Sequence, residues 1–527
     1  MNERSMRVPA HRSFSLTVSG LAHRVAHRVG AGWASVILGV LAMVVAASGS
    51  GIASLWGDEA ASVMSAERPL ATLWPMLARV DAVHGVYYVL LHFWIELFGS
   101  SAFSVRFPSA VAVGLATAGL VLLSNRLGGL RLGVVAGLLF MIIPRTTYMG
   151  TEARSYALSA AIAVWLTLLL VILIRRAQPH HGRRDRVLTN FGWALYALGL
   201  AFGISLFLYL AFLAVAHMIM VLLLRSSRST LRAWVVAGTA ALLVIAPFVL
   251  EVIGQRQQVA FLATRPRVGV WQILVDQWMG NLGFAIIAWG IIAFGIFWAL
   301  RDKDRGRHRD VRSLPPIVLV GLSWLLIPQI LMLLLTIVTP LYALRYLSFV
   351  TPALALLLSF AVVSLTRIRY RPRLAVTVAV TLVVALVAAS VMTYSGQRTP
   401  YAKNNGTDFA EVSTTIGMVS QSGDAVMFDP TVRPSRLPRL ALHVYPDGFT
   451  KVTDVLLSKP YATTSWLWDT QHSIKDAAQY IDGVNRIWVI EADHSSRWAL
   501  SELEALGFRV VQVIAENTCA IYELQRG

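Results

Sequence analysis

The chain has 527 residues, of which 56% are hydrophobic and only 14% charged, and its mean hydropathy is +0.62. An ordinary soluble domain carries about 25% charged residues, so lipid is the expected solvent for much of the chain. The formal charge of +18 does not point to nucleic acid: the basic excess lies in short segments between apolar runs, as in the positive-inside pattern of membrane proteins. A single cysteine, Cys519, excludes an intrachain disulfide framework and a Cys-rich metal site.

Residues 1–31 form an Arg-containing segment expected on the cytoplasmic side. The run that follows has no convincing cleavage site and reads as an uncleaved first span. Runs of about 18 or more apolar residues cross a bilayer. They are expected at 32–54, 103–123, 131–147, 155–174, 190–206, 208–224, 233–251, 281–299, 314–338, 343–366 and 374–394. The fold class is thus a polytopic α-helical membrane protein of about 11 spans, with a transmembrane domain over 32–399. The aromatic-flanked stretch VYYVLLHFWIELF at 86–98 is short for a span and is read as an interfacial helix. All the Arg-rich loops then fall inside, the N-terminus is cytoplasmic, and three outer segments remain: 55–100, 148–154 and 252–280.

The first outer segment opens with Trp56-Gly57-Asp58-Glu59. Desolvation of a carboxylate at such a surface favours proton acceptance, so a base here could take a proton from an attacking hydroxyl. The same residues also suit a helix start, with Asp58 as the cap and Glu59 on the dipole. Asp81 and His84-Gly85-Val86-Tyr87-Tyr88 follow; a lone His at a helix start is more often structural. Arg106 lies near the start of the second span, with Pro108 read as beginning that helix. Glu152 and Arg154 sit where a span begins, and ionisable residues at such depth are functional candidates. Arg154 could clamp a phosphate bidentately or pair with Glu152. Arg265 and its neighbours place positive charge in an outer segment, where phosphate binding is one reading. Arg345, just inside the outer end of an apolar span, would suit a lipid phosphate or snorkel to the interface.

Residues 400–527 hold 11 Lys and Arg against 15 Asp and Glu, a net of −4. They read as an extracytoplasmic α/β domain. Helices are expected at 407–421, 473–483 and 497–506, and strands at 425–428, 486–492, 509–514 and 519–524. The chain contains no HExxH, Walker A, GxSxG or CxxC pattern, and that removes support for a zinc protease, P-loop pump or serine hydrolase.

Taken together, four stretches resemble the GT-C superfamily of membrane glycosyltransferases, in its protein mannosyltransferase-like and aminoarabinose-transferase-like branch. Gly57-Asp58-Glu59 resembles the acidic motif that opens the first outer loop. His84-Gly85-Val86-Tyr87-Tyr88, running on to SVRFPSAV, resembles a family stretch that usually reads His-Pro-Pro-Leu-Tyr-Tyr. Glu152-Ala153-Arg154-Ser155-Tyr156-Ala157-Leu158 resembles the start of a later helix, and Arg345-Tyr346 followed by TPALALLL resembles its Arg-Tyr helix. Order and spacing match over about residues 30–366. This chain departs from the family at Gly85-Val86, where Pro-Pro is usual, and lacks one proline of the later helix.

The resemblance implies an enzyme of the cell membrane that moves a sugar from a polyprenyl-phosphate carrier to an acceptor hydroxyl with inversion. The acceptor would be a glycolipid, glycan or protein. Mannose is the expected sugar, with arabinofuranose next. Asp58 would be the base and Glu59 its polar neighbour or a second carboxylate. Arg154 and Arg345 would hold the phosphate, while His84, Tyr88, Glu152, Tyr346 and Arg265 would be available to line the site. Some relatives require a divalent metal and many do not; no dedicated ligand cluster is visible. The competing readings are a transporter or flippase of lipid-linked sugars, which would show internal repeats and broken helices, and a non-catalytic membrane scaffold.

Overall fold

The computed structural model describes residues 13–176, 183–224, 226–258, 268–301, 314–338, 342–368, 370–404, 406–492 and 497–527. Among the described residues, nine helices are long and apolar enough to cross a membrane. The other two expected spans are shorter. The segment expected at 131–147 is a helix of 13 residues, Leu130–Ile142, followed by a separate helix, Pro144–Met149. Pro144 has no N–H to continue the ladder and so starts the second piece. The segment expected at 208–224 is a 3₁₀ turn, Leu208–Leu210, running into the helix Ala211–Leu223.

The helix Ser13–Ala47 crosses Ala102–Gly128 where Gly39 meets Gly114. A Cβ on Gly114 would lie 2.7 Å from the Gly39 carbonyl oxygen, so the close crossing needs small residues, as membrane helix pairs often do. Pro108 does not begin its helix. The cap is Ser101, whose Oγ accepts from the Ser104 N–H at 3.3 Å. Pro108 sits inside and leaves the Ser104 carbonyl without its usual donor; the Trp94 indole N–H takes that place at 2.9 Å. Residues 347–365 are buried throughout and form the centre of the bundle.

The first loop folds into the helices Gly57–Glu67, Leu70–Leu77 and Gly85–Phe98. The last of these has 14 residues, short of a crossing length. Beyond the final long helix, Pro372–Gly396, the tail carries seven strands: β1 (Asp424–Phe428), β2 (Val452–Asp454), β3 (Leu457–Lys459), β4 (Thr470–Gln471), β5 (Arg486–Glu491), β6 (Phe508–Ala515) and β7 (Ala520–Arg526). Five make one mixed sheet in the order β2-β1-β5-β7-β6, parallel at β2-β1-β5 and antiparallel at β5-β7-β6. Strands β3 and β4 pair separately. The helix expected at 473–483 is reduced to Ala478–Ile481.

Tail and first loop share an apolar core. Phe409, Val412 and Ile416 of the helix Phe409–Val419 pack in one cluster with Leu55, Ala60 and Met64. Gly57 is the closest approach: a Cβ there would collide with the backbone carbonyl of Ser435 in the tail. Arg68 is buried and donates to the carbonyls of Thr464 at 2.8 Å and Leu467 at 3.2 Å. The acidic loop is therefore positioned from both sides, by the membrane helices and by the tail.

Candidate active site

The helix Gly57–Glu67 presents Asp58 and Glu59 in succession. Neighbouring residues on an α-helix point about 100° apart, so the two carboxylates cannot share one surface. Asp58 Oδ2 accepts from Arg345 Nη2 at 2.7 Å, with both side chains about a quarter exposed. The Arg345 Nε–H donates to the Tyr156 hydroxyl at 2.9 Å, and its guanidinium lies 5.0 Å from the Trp56 ring centroid. Arg345 is thus fixed in direction by an anion, a phenol and an aromatic face.

Glu59 points the other way and has no exposed surface. Arg106 grips it bidentately, Nε to Oε1 at 2.8 Å and Nη2 to Oε2 at 2.6 Å, and the Ala153 N–H adds a third bond to Oε1 at 2.8 Å. Arg106 also donates to the carbonyls of Ser50, Ala53 and Ser54. Burial pushes the Glu59 carboxyl up, but the charge and hydrogen bonds of Arg106 prevail and hold it below the ordinary glutamate value. The expectation of Glu59 as a second catalytic carboxylate meets a correction here: both its oxygens are committed to a buried pair that ties the first loop to Ala102–Gly128 and to the Thr151–Arg154 segment. Arg106, near the start of the second expected span, is committed to the same pair.

Arg154 holds the backbone of Asp58. Its Nη1 donates to the Asp58 carbonyl and to Ser62 Oγ, each at 3.1 Å. Its Nη2 donates to His84 Nε2 at 2.8 Å. Because an arginine can only donate, His84 must be neutral and carry its proton on Nδ1. Burial first, then Arg154 and Arg345, keep His84 well below the ordinary histidine value. Tyr88 donates to Asp81 Oδ2 at 2.9 Å. Asp81 has a left-handed backbone, φ 58°, and its N–H is taken by Gln258 Oε1 at 3.0 Å. The Asp81 charge acts in turn on Arg154.

A cavity of about 590 Å³ opens against Arg345. Arg145, Tyr148, Tyr342, Gln272 and Asp276 share its lining, and Arg154 does not. Arg145 follows the break at Pro144; its Nε donates to the Gln277 carbonyl at 2.5 Å and its Nη2 to the Asp276 carbonyl at 3.3 Å. No carboxylate is among these partners, so its charge remains available to the cavity. Tyr346 lies beside the pair and stacks on Tyr209 with ring centroids 4.8 Å apart. Glu152 is buried, and neither carboxylate oxygen has a hydrogen-bond partner among the described residues. Arg265 lies outside the described residues.

Of the expected site residues, the structure gathers Asp58, Arg345, Arg154 and His84, with Tyr88 held against Asp81. Arg145 was missed; its position directly after a proline between two apolar pieces was the available signal. Among the described residues no three His, Cys, Asp or Glu side chains gather as a cation site would require.

No protein-family model and no curated protein matches the chain. Among solved structures, it is similar to ArnT from Cupriavidus metallidurans bound to undecaprenyl phosphate, with TM-score 0.56 and 13% identity over 93% of this chain and 97% of that one. It is also similar to the Archaeoglobus fulgidus oligosaccharyltransferase in the apo form, with TM-score 0.53 and 10% identity over 85% of this chain and 69% of that one. The archaeal oligosaccharyltransferase AglB from Archaeoglobus fulgidus, in complex with an inhibitory peptide and a dolichol-phosphate, gives TM-score 0.50 at 10% identity, over 92% of this chain and 74% of that one. At these identities the likeness shows a shared fold: a polytopic membrane protein with a C-terminal strand-containing domain.

Proposed function

We propose that the chain is a glycosyltransferase that moves a sugar from a polyprenyl-phosphate carrier to an acceptor hydroxyl at the outer face of the cell membrane. The observation that carries this reading is the Asp58–Arg345 pair at 2.7 Å, set against a cavity whose wall also holds Arg145. Two fixed cations suit a phosphate, and an adjacent carboxylate suits a hydroxyl nucleophile. Similar folds bind such carriers, as ArnT with undecaprenyl phosphate and AglB with a dolichol-phosphate show. The basic loops, by the positive-inside rule, support a cytoplasmic N-terminus with the first loop, cavity and tail outside.

In this reading the ion pair is a placeholder. Asp58 holds Arg345 in direction through the 2.7 Å contact. An arriving phosphate competes for Arg345, with Arg145 as the second cation, and frees the Asp58 carboxylate. Asp58 then takes the proton of the acceptor hydroxyl as its oxygen attacks the anomeric carbon from the face opposite the phosphate. The new C–O bond forms, the bond to the phosphate oxygen breaks with its electron pair, and configuration inverts. Arg345 and Arg145 stabilise the charge that grows on the leaving phosphate. Arg154 acts through the backbone of Asp58, and neutral His84 orients Arg154. An apolar cleft of about 490 Å³ along the Tyr156–Arg176 helix, lined in part by Leu158, Trp165 and Ile172, gives the isoprenoid chain a surface.

Mannose is the sugar we propose, with arabinofuranose as the alternative, both from the motif resemblance. The test is to incubate the purified protein and a membrane extract with a panel of radiolabelled polyprenyl-phosphate sugars. Transfer of one label to an extract component supports the reading. A panel that yields no transfer, with donor lipids moved intact across vesicle membranes instead, would favour a flippase.

A further inference from the structure

Between the last long helix and the tail, residues 397–404 and 406–408 are tied down on both sides. On the membrane side, Arg398 donates to the Ser48 carbonyl at 2.7 Å and the Pro400 carbonyl accepts from the Ser54 N–H at 2.9 Å. On the tail side, the Asp408 carboxylate accepts from the N–H groups of Thr518 at 2.6 Å and Cys519 at 2.9 Å, at the entry to β7. Asn517 donates to the Gly406 carbonyl at 2.6 Å. Between these anchors Lys403 turns inward and is 1% exposed. Its Nζ donates to Thr151 Oγ1 at 3.1 Å and lies 3.9 Å from the Tyr148 ring centroid.

The segment it reaches is the one that shapes the site. The Ala153 N–H binds Glu59, Arg154 binds the Asp58 carbonyl and His84, and Tyr148 lines the cavity. Within it lies Glu152, a buried carboxyl with no hydrogen-bond partner among the described residues. Burial raises the Glu152 pKa, and Lys403 is the foremost charge acting against that. A lone buried carboxylate is costly, and a compensating cation relieves the cost.

We propose that Lys403 is a positioning residue, through which the tail's linker holds the Tyr148–Arg154 segment, and with it Asp58 and Arg154, in working geometry. The proposal rests on the transferase reading for its link to turnover, but not for its link to order in that segment. The charges that act on Lys403 are Glu152 and Glu59, which favour its charged form, and Arg106 and Arg398, which oppose it; Tyr148 meets it face on. Burial, only partly offset by the two glutamates, brings Lys403 down to about 8. The charge that holds the segment is therefore present below that pH and is lost above it.

The experiment compares the full-length protein with K403M and K403R. Hydrogen exchange over residues 148–158, corrected for intrinsic rates, reports the positioning directly. K403M should exchange faster there than wild type at neutral pH, with K403R close to wild type; equal exchange in all three would overturn the proposal. With labelled donor, K403M should lose about 10²-fold in turnover, the scale of a small misplacement of catalytic groups, at unchanged KM. If K403M does not fold, the other pair decides: order in the wild-type segment should fall as pH rises through about 8 while K403R keeps it, and coincident profiles would reject the role. Absence of any transfer by wild type would defeat the transferase reading and leave the exchange comparison valid.

Discussion

Asp58 and Glu59 are consecutive in the chain, yet their carboxylates engage different arginines: Asp58 meets Arg345, which lines the cavity, at 2.7 Å, and Glu59 meets Arg106 at 2.6 Å with no exposed surface. One acidic dipeptide thus serves two purposes, with Asp58 reaching the site and Glu59 fastening the helix that carries it.

Removing half of the buried pair should damage stability before chemistry. Glu59→Gln or Arg106→Gln leaves a buried charge without its partner, a loss of about 3–5 kcal/mol. Thermal unfolding in detergent should show a large drop for either variant. Because the folded Glu59 carboxyl is held below its ordinary value, its contribution is present above the unfolded value of about 4.3 and fades as pH falls through the folded one. Wild type should therefore lose stability in acid more steeply than Glu59→Gln. Equal melting temperatures at neutral pH would contradict the assignment.

His84 behaves with the opposite sign from a salt-bridged histidine. Its folded pKa lies well below the usual value, so the unfolded chain binds the proton more readily and stability falls as pH drops below about 6.5. His84→Gln can still accept from Arg154 and should flatten that fall, measured as melting temperature against pH. An unchanged slope would show that His84 does not titrate as the geometry requires.

The phosphate reading separates three arginines. Arg345→Gln and Arg145→Gln should each weaken binding of polyprenyl phosphate by roughly 10- to 150-fold, the equivalent of a hydrogen bond to a charged group of about 1.5–3 kcal/mol. Arg154→Gln, which touches the Asp58 backbone and His84 and does not line the cavity, should lower turnover with little effect on that binding. Titration with lipid phosphate in detergent distinguishes the three.

Gly57 tests how the tail supports the loop. A methyl there meets the Ser435 carbonyl, so Gly57→Ala should loosen the tail from the acidic helix. Faster proteolysis between the two, relative to wild type, is the expected result.

Much of this was legible in the sequence because membrane chains make charge expensive. Arg154 and Arg345 stood out against apolar surroundings, and both lie within bonding distance of Asp58. Of the readings open for Glu59, helix partner, polar neighbour or second carboxylate, the last does not fit its geometry, because helical rotation separates neighbouring side chains by about 100° and Arg106 takes both Glu59 oxygens. Arg145 was passed over because the run at 131–147 read as one span, whereas Pro144 divides it and exposes the residue that follows. Lys403 carries no local pattern at all. Its significance comes from a contact across 252 positions with Thr151, which only the folded chain reveals. The tail's helices and strands were largely readable from apolar runs, but the short edge strand β2 and the β3-β4 pair, with half-exposed sequences, gave no such signal.

The most direct test of the central claim is Asp58→Asn, assayed for both transfer and donor binding. The side chain keeps its size and loses its capacity to take a proton, so transfer of labelled sugar should fall by about 10²–10⁴-fold. Affinity for the polyprenyl-phosphate donor should hold or improve, since Arg345 no longer has an anion to leave. Undiminished transfer by Asp58→Asn would contradict the account, as would loss of donor binding with the transfer rate at saturation intact.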